Sequence, residues 1–259
     1  MYTDSHCHLN FPELLDQIDD IRAAMAQASV TRALCIATTL EAFPQVHGLA
    51  TDYANFWATV GVHPDSEDVA EPTFDDLVQR AALSRVVAIG ETGLDYYRLN
   101  GRSVADMEWQ RERFRVHIRA AQATAKPLVI HTRSASDDTL AILREEGEAA
   151  GGVFHCFTET RAVAMAALDM GFYISFSGIL TFKTAQDLRD VAALVPMDRL
   201  LIETDSPYLA PVPYRGKTNN PSYVPWVAKQ LAEIKGCSAE TIGEQTSRNF
   251  DVLFAGVLA

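Results

Sequence analysis

The chain alternates eight times between a short apolar run and a stretch of helical periodicity, which constrains its fold more than any other feature. The runs are three to five residues long and rich in β-branched and aromatic side chains. Such runs are typical of strands buried in a parallel sheet. Eight strands separated by helices predict a (β/α)8 barrel, the TIM-barrel fold. The predicted strands are Tyr2–Asp4, Ala33–Ala37, Phe56–Val60, Val86–Gly90, Pro127–Ile130, Gly152–Phe154, Phe172–Phe176 and Leu200–Ile202.

A doubly wound open sheet is the alternative arrangement of these elements. That fold binds its ligand through a glycine-rich first turn, whereas the first turn here carries His6-Cys7-His8. Two further helices, Val224–Lys235 and Ala239–Phe254, are predicted after the eighth strand, so the barrel should carry an extra C-terminal helix. Because the chain has no linker rich in Pro, Gly or Ser, residues 1–259 are predicted to form a single domain.

Composition and charge narrow the class of protein. Hydrophobic residues make up 48% of the chain and charged residues 22%, which supports a large core. The net charge of −12 argues against a protein that coats nucleic acid with a basic surface. No apolar stretch approaches the ~18 residues of a membrane span and no signal peptide is apparent, so no membrane association is expected. Four cysteines without C-x-x-C spacing predict the free thiols of a cytoplasmic protein.

Polar side chains recur where the predicted strands end, which is the face that carries the active site in barrel enzymes. In the first strand the two histidines alternate, so both imidazoles should point to one side. Five of the seven histidines lie at strand ends, whereas His47 and His117 fall on predicted helices and are assigned no role. The polar strand-end residues are His6, His8, His63, Glu91, His131, His155, Glu203 and Asp205.

This set of imidazoles and carboxylates exceeds the roughly three protein ligands that one catalytic zinc takes. It predicts two divalent cations about 3.5–4 Å apart with a shared oxygen ligand. Glu91 is the predicted bridge, because its strand is nearest the middle of the order. Asp205 is predicted to bind one cation and hold the attacking water. Glu203 faces the same way two residues earlier and is predicted to support a ligand. Zn, Mn and Mg all remain open as the metal.

Six motifs in this order resemble the TatD family of metal-dependent deoxyribonucleases, which are amidohydrolase-type barrels. The resemblance runs from residue 2 to about residue 254 and rests on Asp4-Ser5-His6-Cys7-His8, Gly61-Val62-His63-Pro64, Gly90-Glu91-Thr92-Gly93-Leu94-Asp95, Pro127-Leu128-Val129-Ile130-His131, His155-Cys156-Phe157 and Glu203-Thr204-Asp205-Ser206-Pro207-Tyr208-Leu209. It implies metal ligands at His6, His8, Glu91, His131, His155 and Asp205. It also implies metal-dependent hydrolysis of DNA, with single strands trimmed from the 3′ end. Many members carry an acidic residue where Asn220 stands.

Three further residues are predicted to contact the substrate. His63 precedes a proline at the end of the third strand, and Arg133 follows His131 by two positions, so it faces the same side. Lys217 lies in the loop after the eighth strand and is a candidate phosphate contact. Turn capping and surface ion pairing are the structural alternatives for these residues. Tyr96, Tyr97 and Arg98 are candidates for lining a DNA groove, with aromatic packing of a loop as the alternative.

Two other functional classes remain open at this level. The same metal site serves lactonases, amidases, esterases, phosphotriesterases and aminoacyl-tRNA deacylases, because attack by a metal-activated water is common to all of them. A metal-stabilised barrel that serves only as an interaction scaffold is the non-catalytic alternative. The oligomeric state is not determined by the sequence, and a monomer is compatible with it.

Overall fold

The computed structural model describes residues 1–147 and 151–255, and its centre is a single sheet of eight parallel strands. The strands follow one another around the sheet in chain order, each paired in parallel with the next. The barrel prediction is therefore confirmed, and the open doubly wound sheet is wrong. The strands are β1 (Tyr2–Cys7), β2 (Val30–Cys35), β3 (Phe56–Val60), β4 (Val86–Asp95), β5 (Leu128–Arg133), β6 (Gly152–Phe154), β7 (Tyr173–Phe176) and β8 (Leu200–Ile202).

The barrel closes between β8 and β1 through backbone hydrogen bonds at the carboxyl ends of these strands. The Asp205 N–H donates to the His6 carbonyl at 3.0 Å, and the His8 N–H donates to the Ser206 carbonyl at 2.9 Å. The buried Asp4 carboxylate accepts from the Thr204 N–H at 2.9 Å, on the same seam. Asp4 is therefore a hydrogen-bonded core group that joins the two strands. Barrel closure and the positions of three predicted ligands depend on the same few backbone atoms.

Helices alternate with the strands, as the helical periods predict. Thr73, Thr160 and Ser238 cap three of them, each accepting a hydrogen bond from a backbone N–H of the first turn. The helices are α1 (Pro12–Leu15), α2 (Ile18–Gln27), α3 (Phe43–Asp52), α4 (Phe74–Ala81), α5 (Glu108–Thr124), α6 (Ser136–Glu146), α7 (Arg161–Asp169), α8 (Gln186–Leu194), α9 (Val224–Lys235) and α10 (Ala239–Leu253). Within the described residues, none of these helices has the length and apolar character needed to cross a bilayer.

The C-terminal helix α10 covers the end of the barrel opposite the predicted site. Phe250 packs with residues near the strand starts, including Trp57, whose ring centroid is 6.4 Å away. Asn249 donates to the carbonyls of Met197 and Leu200 at 2.8 Å, which fixes α10 at the start of β8. The extra C-terminal helix is thus confirmed. With the amino-terminal end covered, the carboxyl-terminal end is left for a ligand.

Candidate metal centre

The two histidines of β1 lie side by side, as strand alternation predicts. Their Nε2 atoms are 3.3 Å apart, and both rings are buried. Cys7, between them, points the other way, and its thiol lies 3.3 Å from the Leu34 carbonyl. His8 Nδ1 faces the Ile36 carbonyl at 3.4 Å, which leaves Nε2 of His8 with its lone pair toward the cluster. The first strand therefore presents two imidazole nitrogens to one point.

Glu91 stands at the centre of the cluster, and its two oxygens face different partners. Oε1 lies 2.8 Å from His155 Nε2, 3.2 Å from His131 Nδ1 and 3.3 Å from His63 Nε2. Oε2 lies 3.3 Å from His6 Nε2, on the other side. A carboxylate placed between two groups of imidazoles has the geometry of a bridging ligand.

Asp205 joins His6 and His8 in a second group of donor atoms. Its Oδ1 lies 3.4 Å from His8 Nε2 and 3.6 Å from His6 Nε2. The backbone of Asp205 has φ +54°, a left-handed conformation that is unfavourable for a residue with a side chain. Hydrogen bonds to the His6 carbonyl and from the Tyr208 N–H hold it there. The three trios that can gather around a cation are His6–Glu91–His155, His6–His8–Asp205 and His63–Glu91–His131.

Two carboxylates lie behind the imidazoles and orient them. Glu203 faces His155 Nδ1 at 3.2 Å and also accepts from the Cys156 N–H at 2.7 Å. Asp95 faces His131 Nε2 at 3.0 Å. Each carboxylate fixes which ring nitrogen carries the hydrogen, so that the other nitrogen presents a lone pair to the cluster. The position of Glu203 matches its predicted supporting role, whereas sequence reasoning missed Asp95.

Asp95 was missed because β4 is longer than predicted. The strand was expected to end at Gly90 but continues to Asp95, and all ten of its residues are buried. Glu91 and Asp95 are four positions apart and share one face of the strand. Gly93 lies between them, and a Cβ there would lie 2.0 Å from the His131 carbonyl oxygen. The same-face spacing of Glu91, Gly93 and Asp95 is the signal that could have identified the longer strand.

Burial and charge act against each other on the pKa values of the cluster. Burial would raise the pKa of Glu91, but the neighbouring imidazoles, His155 foremost, hold it well below its usual range. Burial would lower the pKa of His155, but Glu91 and Glu203 hold it well above its usual range. For Asp205, burial would raise the pKa, but the hydrogen bond to His8 and the charges of His6, His155 and His8 together lower it. The inner carboxylates are therefore ionised at neutral pH, as metal ligands must be.

The donor set fits divalent cations. The facing Nε2 atoms of His6 and His8 and the inner oxygens of Glu91 converge on one small volume. His6 Nδ1 and Glu91 Oε2 are buried and make no hydrogen bond within the described residues. Several lone pairs directed at one point repel one another unless protons or cations lie between them. Imidazole and carboxylate together suit zinc or manganese, and the carboxylates suit magnesium.

A cavity of about 700 Å³ opens above this cluster at the carboxyl end of the barrel. Arg133 lines it, and its guanidinium lies 3.6 Å from the centroid of the Tyr97 ring. Lys217 is not among the lining residues; its ammonium lies 5.5 Å from the Tyr214 ring, on the loop after β8. Of the predicted substrate contacts, the structure thus brings Arg133 to the cavity and leaves Lys217 outside it.

The His63 imidazole lies below the rim of the cavity, within 3.3 Å of Glu91. Its Nδ1 accepts a hydrogen bond from the Asp65 N–H at 3.0 Å. In the neutral ring this places the hydrogen on Nε2, which points at Glu91 Oε1. His63 therefore directs an N–H donor at Glu91, at the base of the cavity.

Helix α5 holds the loop that carries His63. His117 Nε2 accepts from the Val62 N–H at 3.0 Å, and its Nδ1 donates to the Arg113 carbonyl at 2.7 Å. The Arg113 guanidinium donates to the carbonyls of His63 at 2.8 Å and Ser66 at 2.9 Å. The expectation of no role for His117 is thus wrong, because a helix histidine can bond to a loop that is distant in sequence.

Asn220 has a local role. Its Oδ1 accepts from the Ser222 N–H at 3.0 Å and from the Ser222 hydroxyl at 2.6 Å, so it caps the turn that precedes α9. An aspartate can cap such a turn equally well. Its buried neighbour Asn219 donates to the carbonyls of Thr204 and Tyr208, at 2.8 and 2.6 Å, and fastens the loop to the end of β8.

Comparison with known proteins shows which chains share this architecture. Residues 3–255 match the family model described as "TatD related DNase". The uncharacterized metal-dependent hydrolase YcfH of Escherichia coli strain K12 is 48% identical, over 97% of this chain and 94% of that protein. The 3′-5′ ssDNA/RNA exonuclease TatD of Escherichia fergusonii is 34% identical, over 91% of this chain and 92% of that protein. The crystal structure of YjjV, a TatD homologue from Escherichia coli K12, superposes with a TM-score of 0.89 at 27% identity and 98% coverage of both chains.

Proposed function

The chain belongs to the TatD family of metal-dependent hydrolases, and we propose that it hydrolyses phosphodiester bonds at the ends of single-stranded DNA. One observation carries the proposal. Glu91 lies between two groups of imidazoles that, with Asp205, offer ligands for two divalent cations at the base of an open cavity. Two-cation sites of this kind are suited to in-line displacement at phosphorus.

The proposed ligands are those of the sequence analysis: His6, His8, Glu91, His131, His155 and Asp205. When bound, the cations would neutralise charge on the phosphate and lower the pKa of a bound water toward ~7. The side chain of Asp205 is 14% exposed, against 3% for that of Glu91, so it can reach a water in the cavity. We assign Asp205 the role of general base.

Side chains of the cavity wall are assigned to the substrate. The Nε2–H of His63 is directed toward the cluster, where it can donate to a non-bridging phosphate oxygen. The Arg133 guanidinium lies at the wall of the cavity and offers a second, charged donor. Tyr97 is 60% exposed beside it and can stack on a base. These three residues supply phosphate contacts and base stacking without reading a sequence.

An end is the favoured point of attack for two reasons. A net charge of −12 repels a long polyanion, so attraction has to come from a few groups near the cations. The cluster also lies at the base of a cavity, which admits a frayed end more readily than the interior of a duplex. The 3′ polarity follows from the resemblance and from the printed name of the 34%-identical relative. Free cysteines throughout the described residues suit a cytoplasmic enzyme.

The test compares one single-stranded DNA sequence as a closed circle and as a linear molecule. We expect hydrolysis of the linear form only, with mononucleotides released from its 3′ end. Equal rates on both forms would mean that the enzyme cuts internally. A panel of RNA, charged tRNA and small esters tests the alternative hydrolases, and a turnover on one of them that exceeds the turnover on DNA would replace this proposal.

A further inference from the structure

Two segments after β7 and β8 lack acidic residues, although the chain as a whole is acidic. The 27 residues from 206 to 232 contain neither Asp nor Glu, and the same is true of residues 170–186. The whole chain has 34 acidic residues among 259. The two segments meet in space, because the Val212 N–H donates to the Thr181 hydroxyl at 2.9 Å. Next to the metal centre these segments therefore add cations to the surface and no carboxylates, while the charges of Glu13 and Asp205 act at their inner end, on Tyr208.

Cations and aromatic rings are interleaved on this surface. The Arg215 guanidinium lies 3.8 Å from the centroid of the Phe182 ring, and the Lys217 ammonium lies 5.5 Å from that of Tyr214. Tyr214 is itself stacked on Tyr223, with centroids 4.0 Å apart and planes within 3°. Arg215, Lys217 and Lys183 are exposed and form no ion pair within residues 1–147 and 151–255. Most arginines of the long helix α5, in contrast, are paired with glutamates.

The surface is continuous with the cavity. Tyr208 and Leu209, at its inner end, line the cavity above the metal centre, and Tyr208 is 55% exposed. Arg215 donates to the Ala210 carbonyl at 3.3 Å, which draws the outer part of the loop toward that inner end. We define the β7–β8 strip as the six residues Phe182, Lys183, Tyr208, Tyr214, Arg215 and Lys217.

We infer that the β7–β8 strip binds the nucleotides of a single strand that lie outside the cavity, while the end of the strand occupies the metal centre. The inference rests on the proposed function and extends it from the scissile phosphate to the rest of the substrate. Unpaired cations contact phosphates, and the exposed ring of Tyr208 can stack on an unpaired base, while the half-buried rings of Phe182 and Tyr214 support the cations beside them. A duplex offers its phosphates but keeps its bases stacked inside, so a strip of cations and rings suits a single strand.

The three cations set the size of the effect. Each phosphate of a single strand that the protein contacts contributes about −0.7 to the slope of log K, the binding constant, against log salt concentration. Two cations removed together should therefore weaken binding roughly tenfold at about 0.15 M salt, and should reduce the slope by about 1.4. A substrate too short to reach the strip should bind the variant as tightly as it binds the wild type.

The test is a length series with a variant that removes charge from the strip. The holoenzyme would be assayed for kcat/KM on oligothymidylates of about 2 to 12 nucleotides, at two salt concentrations. The variant is Lys183→Gln with Arg215→Gln. The matched control is Arg144→Gln with Arg248→Gln, which removes the same charge from exposed positions on α6 and α10.

We expect kcat/KM of the wild type and the control to rise with length by roughly tenfold, and the strip variant to lose this rise while its dinucleotide rate stays within about twofold. No length dependence in the wild type, or an equal loss on dinucleotide and dodecamer, would overturn the inference. If no oligonucleotide is hydrolysed, the proposed function fails, and fluorescence anisotropy with a labelled dT12 tests the strip separately. An unchanged Kd in the strip variant, or tighter binding of duplex than of single strand, would then count against it.

Discussion

Protonation of His117 should destabilise the folded protein in mild acid. This histidine is fully buried in α5, where it accepts a hydrogen bond from the Val62 N–H and donates one to the Arg113 carbonyl. Only the neutral ring can accept from Val62. Burial lowers its pKa to about 4 from the usual 6.5, with a hydrogen bond to Arg113 and the charges of Arg113 and Glu71 as smaller influences.

The sign and the magnitude follow from that pKa. Between pH 6.5 and 4 the unfolded chain binds a proton at this position and the folded chain does not, so stability is lost as the pH falls through this window. A difference of 2.5 pKa units corresponds to about 3 kcal/mol in the free energy of unfolding, of which about 2.5 kcal/mol is lost by pH 4.5. This is a large share of the 5–15 kcal/mol that typically stabilises a domain.

The assay is equilibrium unfolding in urea at pH 7.5, 6, 5 and 4.5, followed by tryptophan fluorescence. Chelator would be present throughout, so that competition between protons and cations does not contribute. His117→Gln retains a donor and an acceptor but does not titrate. We expect His117→Gln to lower the free energy of unfolding by about 1–3 kcal/mol at pH 7.5. Between pH 7.5 and 4.5 the variant should lose about 2.5 kcal/mol less of this free energy than the wild type does.

His47→Gln is the control, because His47 lies on α3, where its Nε2 is 2.9 Å from the Ser84 carbonyl and its ring stacks on Phe43. Its pH profile should follow that of the wild type. If wild type and His117→Gln lose stability in parallel from pH 7.5 to 4.5, then His117 is not held neutral by the fold. The account of how α5 positions the His63 loop would be refuted with it.

Three further outcomes are expected at the metal centre. Chelation should abolish hydrolysis, and added divalent cation should restore it. Full turnover by the metal-free enzyme would show that hydrolysis does not depend on a metal at this site. Glu91→Ala should lower kcat by a factor on the order of 10² or more with the fold retained, because it removes the shared ligand; a circular dichroism spectrum would check the fold, and a wild-type kcat would exclude the bridge. Glu203→Gln and Asp95→Asn should each weaken cation binding by about 10–100-fold; calorimetric titration measures this, and unchanged affinity in both would show that neither carboxylate orients its histidine.

The barrel and the positions of the central cluster were predictable because both follow local rules. Apolar runs of three to five residues identify strands, and the carboxyl ends of parallel strands meet on one face. His6 and His8 share a side because strand side chains alternate. Glu91 was placed in the middle by strand order alone, and the structure puts it between the two groups of imidazoles. Periodicity and topology suffice for such residues.

The remaining features depend on contacts that sequence spacing does not encode. Glycines and polar residues mark the end of a strand under local rules, and Asp95 follows two glycines and a polar run. Pairing with β5 nevertheless extends β4 to that residue. Arg113 lies on α5 among charged neighbours, and nothing in its sequence spacing sets it apart from them. It is 4% exposed and donates to three carbonyls of a loop about fifty residues away. In both cases tertiary packing outweighs the local pattern.

The residues proposed to bind metal and those proposed to determine substrate preference lie in different parts of the protein. His6, His8 and Asp205 are held by backbone hydrogen bonds of the β8–β1 seam, and Glu91 lies inside a strand paired on both sides. The positions of these residues are therefore set by the backbone pairing that closes and joins the barrel. The strip residues, in contrast, lie on loops and can change without cost to the sheet. Substrate preference within this family should therefore be decided on the loops after β4, β7 and β8. For that reason the length series, rather than the identity of the metal, is the measurement that distinguishes a nuclease from another hydrolase built on the same cluster.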